Sequence, residues 1–277
     1  MEFNASPCDP NKRVSELVNQ YADPAVSVAW LLCDRHDPQS VAYEIVDAKL
    51  QTTRMTYGEL RRQSEAFAAG LAALGVKQGD RVATLAGKSQ EFLVALIGIW
   101  RLGAVHVPLF TAFAAPAIAL RLTGSGAKVV ICDLAQLPKL ASIEDMPENP
   151  AWRVVVIGGA EGDISHPYDA TFRSVLTTEA AAVNAAALGG DAPFIHIYTS
   201  GTTGRPKGVV VPTCRDGVRS ALISIVFTVF NAQITPRERR QCFATSRSSV
   251  RPLACSSRWT NISSQAPGSI VGCLCKT

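Results

Sequence analysis

The sequence predicts an α/β protein with a parallel sheet that is covered by helices on both faces. Short apolar strands recur roughly every 24 residues between residues 81 and 157, and helical patterns separate them. This alternation is typical of βαβ units, whose crossovers place helices on the faces of a parallel sheet. Apolar residues make up 47% of the 277 residues and charged residues 18%, so the chain can bury a substantial core.

The first predicted elements lie before residue 80. Residues 26–36 have the pattern of a short amphipathic helix that includes Val26, Trp30 and Leu31, and residues 41–46 alternate loosely as a strand does. Thr56 and Glu59 have the spacing of a capping box, which predicts the start of a helix. Apolar residues on one face of that helix and a closing glycine follow: Leu60, Phe67, Leu71, Leu74 and Gly75.

The alternating units come next along the chain. Strands are predicted at residues 81–85, 104–109, 128–132 and 153–157. Ser89 opens a helix that runs to about residue 102. A second helix over residues 116–122 starts with a proline, which the first helical turn tolerates.

A loop rich in glycine and hydroxyl side chains follows the apolar residues 194–197. Residues 198–208 read Tyr-Thr-Ser-Gly-Thr-Thr-Gly-Arg-Pro-Lys-Gly. Glycine lets the backbone approach a ligand closely, and successive N–H groups attract anions. Hydroxyls donate to phosphate oxygens, and lysine supplies a positive charge. Residues 208–211 read as a strand, so we expect a phosphate-binding loop between two strands rather than a P-loop that opens a helix.

This segment resembles the phosphate-binding signature of the adenylate-forming (AMP-binding) superfamily of acyl-CoA synthetases, luciferases and peptide-synthetase adenylation domains. The signature reads Y/F-T-S-G-S/T-T-G-x-P-K-G. Residues 198–208 meet every fixed position of it. Three other segments also resemble the family: T-Y-x-E-L at 56–60, G-D-R-V at 79–82 and G-A-x-x-x-P at 103–108. The resemblance therefore covers about residues 25–212.

The resemblance implies an acyl-CoA synthetase-like ligase. Such an enzyme joins a small carboxylic acid to AMP, releases pyrophosphate, and then passes the acyl group to the thiol of CoA. ATP with Mg²⁺ is the implied cofactor and CoA the co-substrate. The implied cofactor-binding residues are Thr199, Ser200, Gly201, Thr202, Thr203, Gly204 and Lys207. Lys207 is also the implied catalytic residue, because its charge offsets that of the leaving pyrophosphate, and no metal ligand is assigned. His196 is expected to be a partly buried strand residue rather than a catalyst.

The composition changes after Pro212. Residues 1–212 carry a net charge of −3, whereas residues 213–277 carry +7 and contain 10 Ser, 8 Arg and 5 of the 8 Cys. We therefore expect the N-terminal part of an AMP-binding domain at 1–212, with its sheet truncated mid-core, and a divergent, poorly structured basic tail at 213–277. Our hypothesis is that a shifted reading frame produced this tail. Its scattered basic residues predict no specific nucleic-acid site, and its cysteines, without His or C-x-x-C, predict no zinc site.

The segments that the family places after the loop are absent, including those for adenine, ribose and Mg²⁺ and the second catalytic lysine. We therefore expect a truncated, catalytically impaired synthetase. Two alternatives stay open: a non-enzymatic nucleotide- or partner-binding module that keeps only the loop, and a subunit completed by a separate C-terminal polypeptide. The start of the chain does not resemble a secretory signal, and the apolar run at 222–230 is shorter than the ~20 residues of a membrane span, so we expect a cytoplasmic protein.

Overall fold

The computed structural model describes residues 19, 22–46, 50–141, 144–158, 168–181, 183–199 and 206–213, and the backbone of 273–274. The strands of these residues are β1 Val41–Val46, β2 Thr52–Thr56, β3 Arg81–Leu85, β4 Val105–Pro108, β5 Ala127–Asp133, β6 Arg153–Ile157, β7 Ala170–Thr171, β8 Pro193–Thr199, β9 Lys207–Pro212 and β10 Cys273–Leu274. The α-helices are α1 Tyr57–Ala73, α2 Gln90–Arg101, α3 Ala115–Ser125, α4 Leu137–Leu140 and α5 Phe172–Leu176. A π-helical turn spans Trp30–Asp34, and a 3₁₀ turn spans Leu134–Gln136.

Seven strands form the main sheet, in the order β7-β6-β5-β3-β4-β8-β9. All neighbours in it are parallel except β8 and β9, which form an antiparallel hairpin. A second, antiparallel sheet has the order β10-β1-β2. The predicted α/β fold with a mostly parallel sheet is confirmed.

Helices cover both faces of the main sheet, as predicted. Along β5, Val129 and Ile131 belong to one apolar cluster, and Val130 and Cys132 belong to another. The first cluster packs α1 and α2 on one face, and the second packs α3 and α4 on the opposite face. Successive side chains of a strand point to opposite faces, so a central strand with both faces buried reads as a continuous apolar run.

The helix starts follow the capping signals in the sequence. The hydroxyl of Thr56 accepts from the backbone N–H of Glu59, and the Glu59 carboxylate accepts from the Thr56 N–H, which confirms the capping box of α1. The hydroxyl of Ser89 accepts the backbone N–H of Phe92 and so caps α2, without the reciprocal bond of a capping box. Gly126 ends α3 in the left-handed conformation, with φ of 62°, where a residue without Cβ is favoured.

Two segments near the N-terminus differ from what the sequence predicts. The short helix expected over 26–36 is instead centred on the π-helical turn, and Trp30 is 44% exposed while Leu31 and Cys33 are buried. β2 was not predicted, because its first three residues are exposed and only Met55 is fully buried. β2 is extended because it pairs with β1 in an antiparallel ladder.

A buried ion pair joins the π-helical turn to α2. The guanidinium of Arg101 donates to both carboxylate oxygens of Asp34, at 2.9 and 2.6 Å. Its Nε donates to the hydroxyl of Ser64 on α1 at 3.3 Å. The Arg101 side chain is 2% exposed and that of Asp34 is 9% exposed. Three segments of the chain therefore meet at one desolvated charge pair.

Candidate nucleotide-binding site

The candidate loop leaves the carboxyl edge of the main sheet. β8 runs parallel to β4, so Thr199, the last residue of β8, lies at the edge where the parallel strands end. The chain passes from β3 to β4 on one side and then returns past β3 to β5 on the other. Open α/β sheets bind ligands outside the carboxyl ends of their strands, and the β8 loop lies at that edge, two strands from the β3–β5 switch point.

Two of the seven residues implied as ligand contacts lie within the described part of the chain. Thr199 and Lys207 are directly opposite each other in the β8–β9 hairpin, and both are exposed. Ser200, Gly201, Thr202, Thr203 and Gly204 lie outside the described residues. The arrangement places a hydroxyl and an ammonium at the two ends of the loop, where an anion held by it would meet both.

We call the two cross-strand pairs that begin the hairpin at the loop, Thr199 with Lys207 and Tyr198 with Gly208, the stem of the loop. The rings of His196 and Tyr198 stack beside it, with centroids 5.1 Å apart and planes inclined by 15°. A Cβ on Gly208 would overlap Nε2 of His196 and lie 3.3 Å from the Tyr198 ring. The glycine that ends the motif therefore leaves room for this stacked pair.

His196 is a half-buried strand residue, in the position the sequence predicts. Burial lowers its pKa, and the charge of Arg81 lowers it further. Arg81 is fixed by hydrogen bonds from its guanidinium to the carbonyl oxygens of Ser125 (2.7 Å) and Gly126 (3.2 Å). His196 thus stays neutral near pH 7, where it packs as a flat, uncharged ring.

Tyr198 connects the stem to helix α3. A Cβ on Gly124, in the last turn of α3, would lie 2.8 Å from the Tyr198 hydroxyl oxygen, so this hydroxyl lies against the helix. The guanidinium carbon of Arg121 is 5.7 Å from the Tyr198 ring centroid and 4.2 Å from that of Phe113. Burial raises the pKa of Tyr198, against the opposing effects of Arg121 and Ser125. Sequence reasoning missed this contact, because its partners lie on a distant helix.

Two further contacts fix neighbouring loops at the same edge. The carboxylate of Asp133 accepts the backbone N–H of Gly87 at 2.7 Å, which holds the loop after β3. Lys139 donates to the carbonyl oxygen of Thr111 at 2.5 Å, which holds the loop after β4. Burial raises the pKa of Asp133, while the Gly87 N–H opposes that effect and Glu91 adds to it.

Below the edge, β8 is tied to the core. The indole N–H of Trp100 donates to the carbonyl oxygen of Phe194 at 3.0 Å. The ring of Trp100 also packs edge-on against His106, whose Nε2 is 2.8 Å from the hydroxyl of Thr84. Complete burial lowers the pKa of His106 to about 3, so it is neutral in the folded protein. These contacts give the first strand of the hairpin a rigid base.

A family model described as AMP-binding enzyme matches residues 34–244. The chain belongs to this family. It is 35% identical over 205 residues to the long-chain-fatty-acid–CoA ligase FadD13 of Mycobacterium tuberculosis, a match that covers 73% of this chain and 38% of that protein. It is 33% identical over 177 residues to the acetyl-coenzyme A synthetase of Chlorobaculum tepidum, which covers 60% and 27%.

Solved structures agree with this assignment. An acyl-CoA synthetase of Brucella canis matches with a TM-score of 0.64 and 33% identity, over 74% of this chain and 37% of that one. An inhibitor-bound N-terminal domain of FACL13 from Mycobacterium tuberculosis matches with a TM-score of 0.55 and 34% identity, over 68% and 44%. The chain therefore spans less than half the length of these relatives, within their N-terminal part.

No helix in the described ranges has the length and hydropathy to cross a bilayer. Within the same ranges, no group of three or more His, Cys, Asp or Glu side chains is arranged to hold a metal ion. The donors that the described site offers are the Thr199 hydroxyl and the Lys207 ammonium, which suit an anion.

Proposed function

We propose that this chain forms the phosphate-binding part of an ATP-dependent acyl-CoA synthetase. The proposal rests on the β8–β9 hairpin, in which Thr199 pairs with Lys207. These two residues flank the glycine- and threonine-rich loop, and Thr199 ends β8 at the carboxyl edge of the sheet. Membership of the AMP-binding enzyme family supports it. The reaction proposed is attack of a carboxylate on the α-phosphorus of ATP to give acyl-AMP and pyrophosphate, followed by transfer of the acyl group to CoA.

The residues of the chain act here by position and charge. Lys207 neutralises charge on the β- and γ-phosphates as pyrophosphate leaves, and Thr199 donates a hydroxyl hydrogen bond to a phosphate oxygen. The hydroxyls and backbone N–H groups of Ser200, Thr202 and Thr203 add further donors, and Gly201 and Gly204 permit close approach. Fixed donors aimed at the phosphates stabilise the developing charge without reorganising during the reaction.

The substrate in this proposal is a carboxylic acid of the kind that CoA ligases activate. Relatives named as a long-chain-fatty-acid–CoA ligase and as acetyl-coenzyme A synthetases support that class and leave the chain length of the acid open. Mg²⁺ would arrive with the nucleotide, since the described site offers no carboxylate cluster for it. Cys33 and Cys132 are buried free thiols, which suits a reducing compartment such as the cytoplasm.

We further propose that residues 1–277 alone are impaired in the complete reaction. The chain spans 38% of the FadD13 relative and lacks the later motifs that the family signature implies. A phosphate loop without adenine and ribose contacts should bind ATP weakly. The same partial span favours the second candidate, a nucleotide- or partner-binding module, and leaves room for a complementing C-terminal polypeptide.

Carboxylate-dependent exchange of labelled pyrophosphate into ATP separates these proposals. The measurement uses purified 1–277, Lys207→Ala, and Lys77→Ala as a control that removes an exposed charge elsewhere. Exchange that disappears only in Lys207→Ala means that the adenylation half-reaction survives, which supports a synthetase and contradicts the binding module. ATP binding that depends on Lys207 without exchange supports the impaired synthetase or the binding module. A folded protein without Lys207-dependent ATP binding overturns the phosphate-binding proposal itself.

A further inference from the structure

A buried arginine of α3 contacts two separate loops at the carboxyl edge of the sheet. Arg121 is 9% exposed. Its guanidinium carbon lies over the ring of Phe113, 4.2 Å from the centroid, and over the ring of Tyr198, 5.7 Å from the centroid. Phe113 belongs to the segment 109–114, which joins β4 to α3, whereas Tyr198 belongs to the stem of the loop. Two segments that are distant in the sequence therefore share one cation.

The surroundings of this guanidinium compensate for the water that its charge loses on burial. Burying a charge is costly unless other groups replace the water around it. The Nη1 of Arg121 donates to the carbonyl oxygen of Ala117 at 2.6 Å. The negative faces of the two aromatic rings attract the cation, and a partly desolvated contact of this kind corresponds to about fivefold in an equilibrium constant. The charge thus draws both rings to the same point of α3.

Each ring has further contacts of its own, and the guanidinium is a partner that both have in common. Phe113 meets Phe110 edge-on, with centroids 5.2 Å apart, and Tyr198 stacks on His196. A Cβ on Gly124 would lie 2.8 Å from the Tyr198 hydroxyl oxygen, so the tyrosine lies closely along α3. A displacement of Phe113 can therefore reach the stem through the guanidinium.

Both helix α3 and the segment 109–114 are fixed without the help of the hairpin. The guanidinium of Arg81 in β3 donates to the carbonyl oxygens of Ser125 and Gly126, which holds the end of α3 to the sheet. Lys139 of α4 donates to the carbonyl oxygen of Thr111, which holds the segment. A group that packs on Arg121 therefore takes its position from a fixed base.

We propose that Arg121 is a positioning residue that couples the segment 109–114 to the stem of the loop through its contacts with Phe113 and Tyr198. Its effect on a ligand rests on the proposed function, because the stem carries Thr199 and Lys207. The coupling itself is a property of the protein without ligand. The two can therefore be measured separately.

The first measurement is hydrogen exchange of the stem amides without ligand. Arg121→Met keeps a long apolar side chain and removes the charge, and Arg121→Lys keeps a charge without the planar group. Arg54→Met is the control, since it removes an arginine that is 66% exposed in β2. We expect exchange at the stem to be about fivefold faster in Arg121→Met, less increased in Arg121→Lys and unchanged in Arg54→Met.

The buried strand β6 separates positioning from a general loss of stability. A variant that is only less stable exchanges its core amides faster as well, whereas the proposal predicts unchanged exchange in β6. An equal increase at the stem and in β6 of Arg121→Met, or no increase at the stem, overturns the proposal.

A double-mutant cycle tests the coupling itself. Phe113→Leu lies outside the hairpin and leaves the arginine in place, yet it should speed exchange at the stem by about two- to fivefold. The same substitution in the Arg121→Met background should have no further effect, because the guanidinium that joins the two segments is absent. Unchanged stem exchange in Phe113→Leu, or an equal effect in both backgrounds, shows that Arg121 does not couple them and contradicts the proposal.

ATP titration of the same variants reports on the ligand. We expect Arg121→Met and Phe113→Leu to raise the Kd for ATP by about two- to fivefold, and Arg54→Met to leave it unchanged. A folded wild type that binds no ATP contradicts the proposed function, while the exchange data still decide the role of Arg121. Faster stem exchange with an unchanged Kd would show that the coupling does not position the ligand contacts, which overturns the ligand part of the inference.

Discussion

Replacing Asp34 by alanine should destabilise the protein more than any surface substitution. The change leaves the Arg101 guanidinium, 2% exposed, without the carboxylate that accepts two of its hydrogen bonds at 2.9 and 2.6 Å. Removing one partner of a buried ion pair costs about 3–5 kcal/mol, because the remaining charge stays desolvated. Glu65, whose Oε1 is 3.6 Å from the same guanidinium, is 39% exposed and compensates only in part. We therefore expect a loss near the lower end, about 3 kcal/mol.

Urea unfolding of Asp34→Ala measures this loss as a lower midpoint at an unchanged m-value. Arg54→Ala is the matched control, since it breaks the ion pair between Arg54 and Glu44 in which the arginine is 66% exposed. Such exposed pairs contribute about 0–1 kcal/mol. Replacing Asp34 by leucine and Arg101 by methionine together should recover most of the stability, since no charge is then left buried. A loss below about 1 kcal/mol in Asp34→Ala would refute the desolvation argument.

Two further predictions concern stability. Because burial lowers the pKa of His106 to about 3, the unfolded chain binds a proton below about pH 6.5 that the folded protein does not. As the pH falls from about 6.5 to about 3, the free energy of unfolding should therefore decrease by about 1.4 kcal/mol per pH unit because of His106. Urea unfolding of His106→Gln over the same pH range should lack this contribution. Gly70→Ala should cost about 1–3 kcal/mol in urea unfolding, since its Cβ would overlap the backbone oxygen of Val175. Gly87→Ala, whose Cβ would meet nothing closer than 3.4 Å, should change stability by less than about 0.5 kcal/mol, and equal losses in the two variants would contradict the packing argument.

The central strands could be predicted from the sequence because local pattern and tertiary environment agree there. β6 has the predicted bounds, Arg153–Ile157, since its apolar run is buried in a parallel sheet. The strands on either side of the loop were also predicted, so the facing of Thr199 and Lys207 follows from the hairpin itself. The start of α1 at its capping box is likewise encoded within four residues.

The elements that were missed depend on distant partners. β2 is mostly polar and is extended because it pairs with β1. The π-helical turn carries Asp34, whose partner Arg101 lies 67 residues away. In the site, the contact between Tyr198 and the end of α3 joins residues that no local pattern relates. The antiparallel direction of β9 in a parallel sheet follows from the short loop before it.

The central claim is that the loop binds the phosphates of ATP through Lys207. Isothermal titration of purified 1–277 with ATP, beside Lys207→Ala and Lys77→Ala, tests it most directly. A hydrogen bond to a charged group contributes about 1.5–3 kcal/mol, so Lys207→Ala should weaken ATP binding by about tenfold or more. Lys77→Ala should bind as the wild type does. Equal affinity of Lys207→Ala and the wild type, or no ATP binding by the folded wild type, would contradict the account.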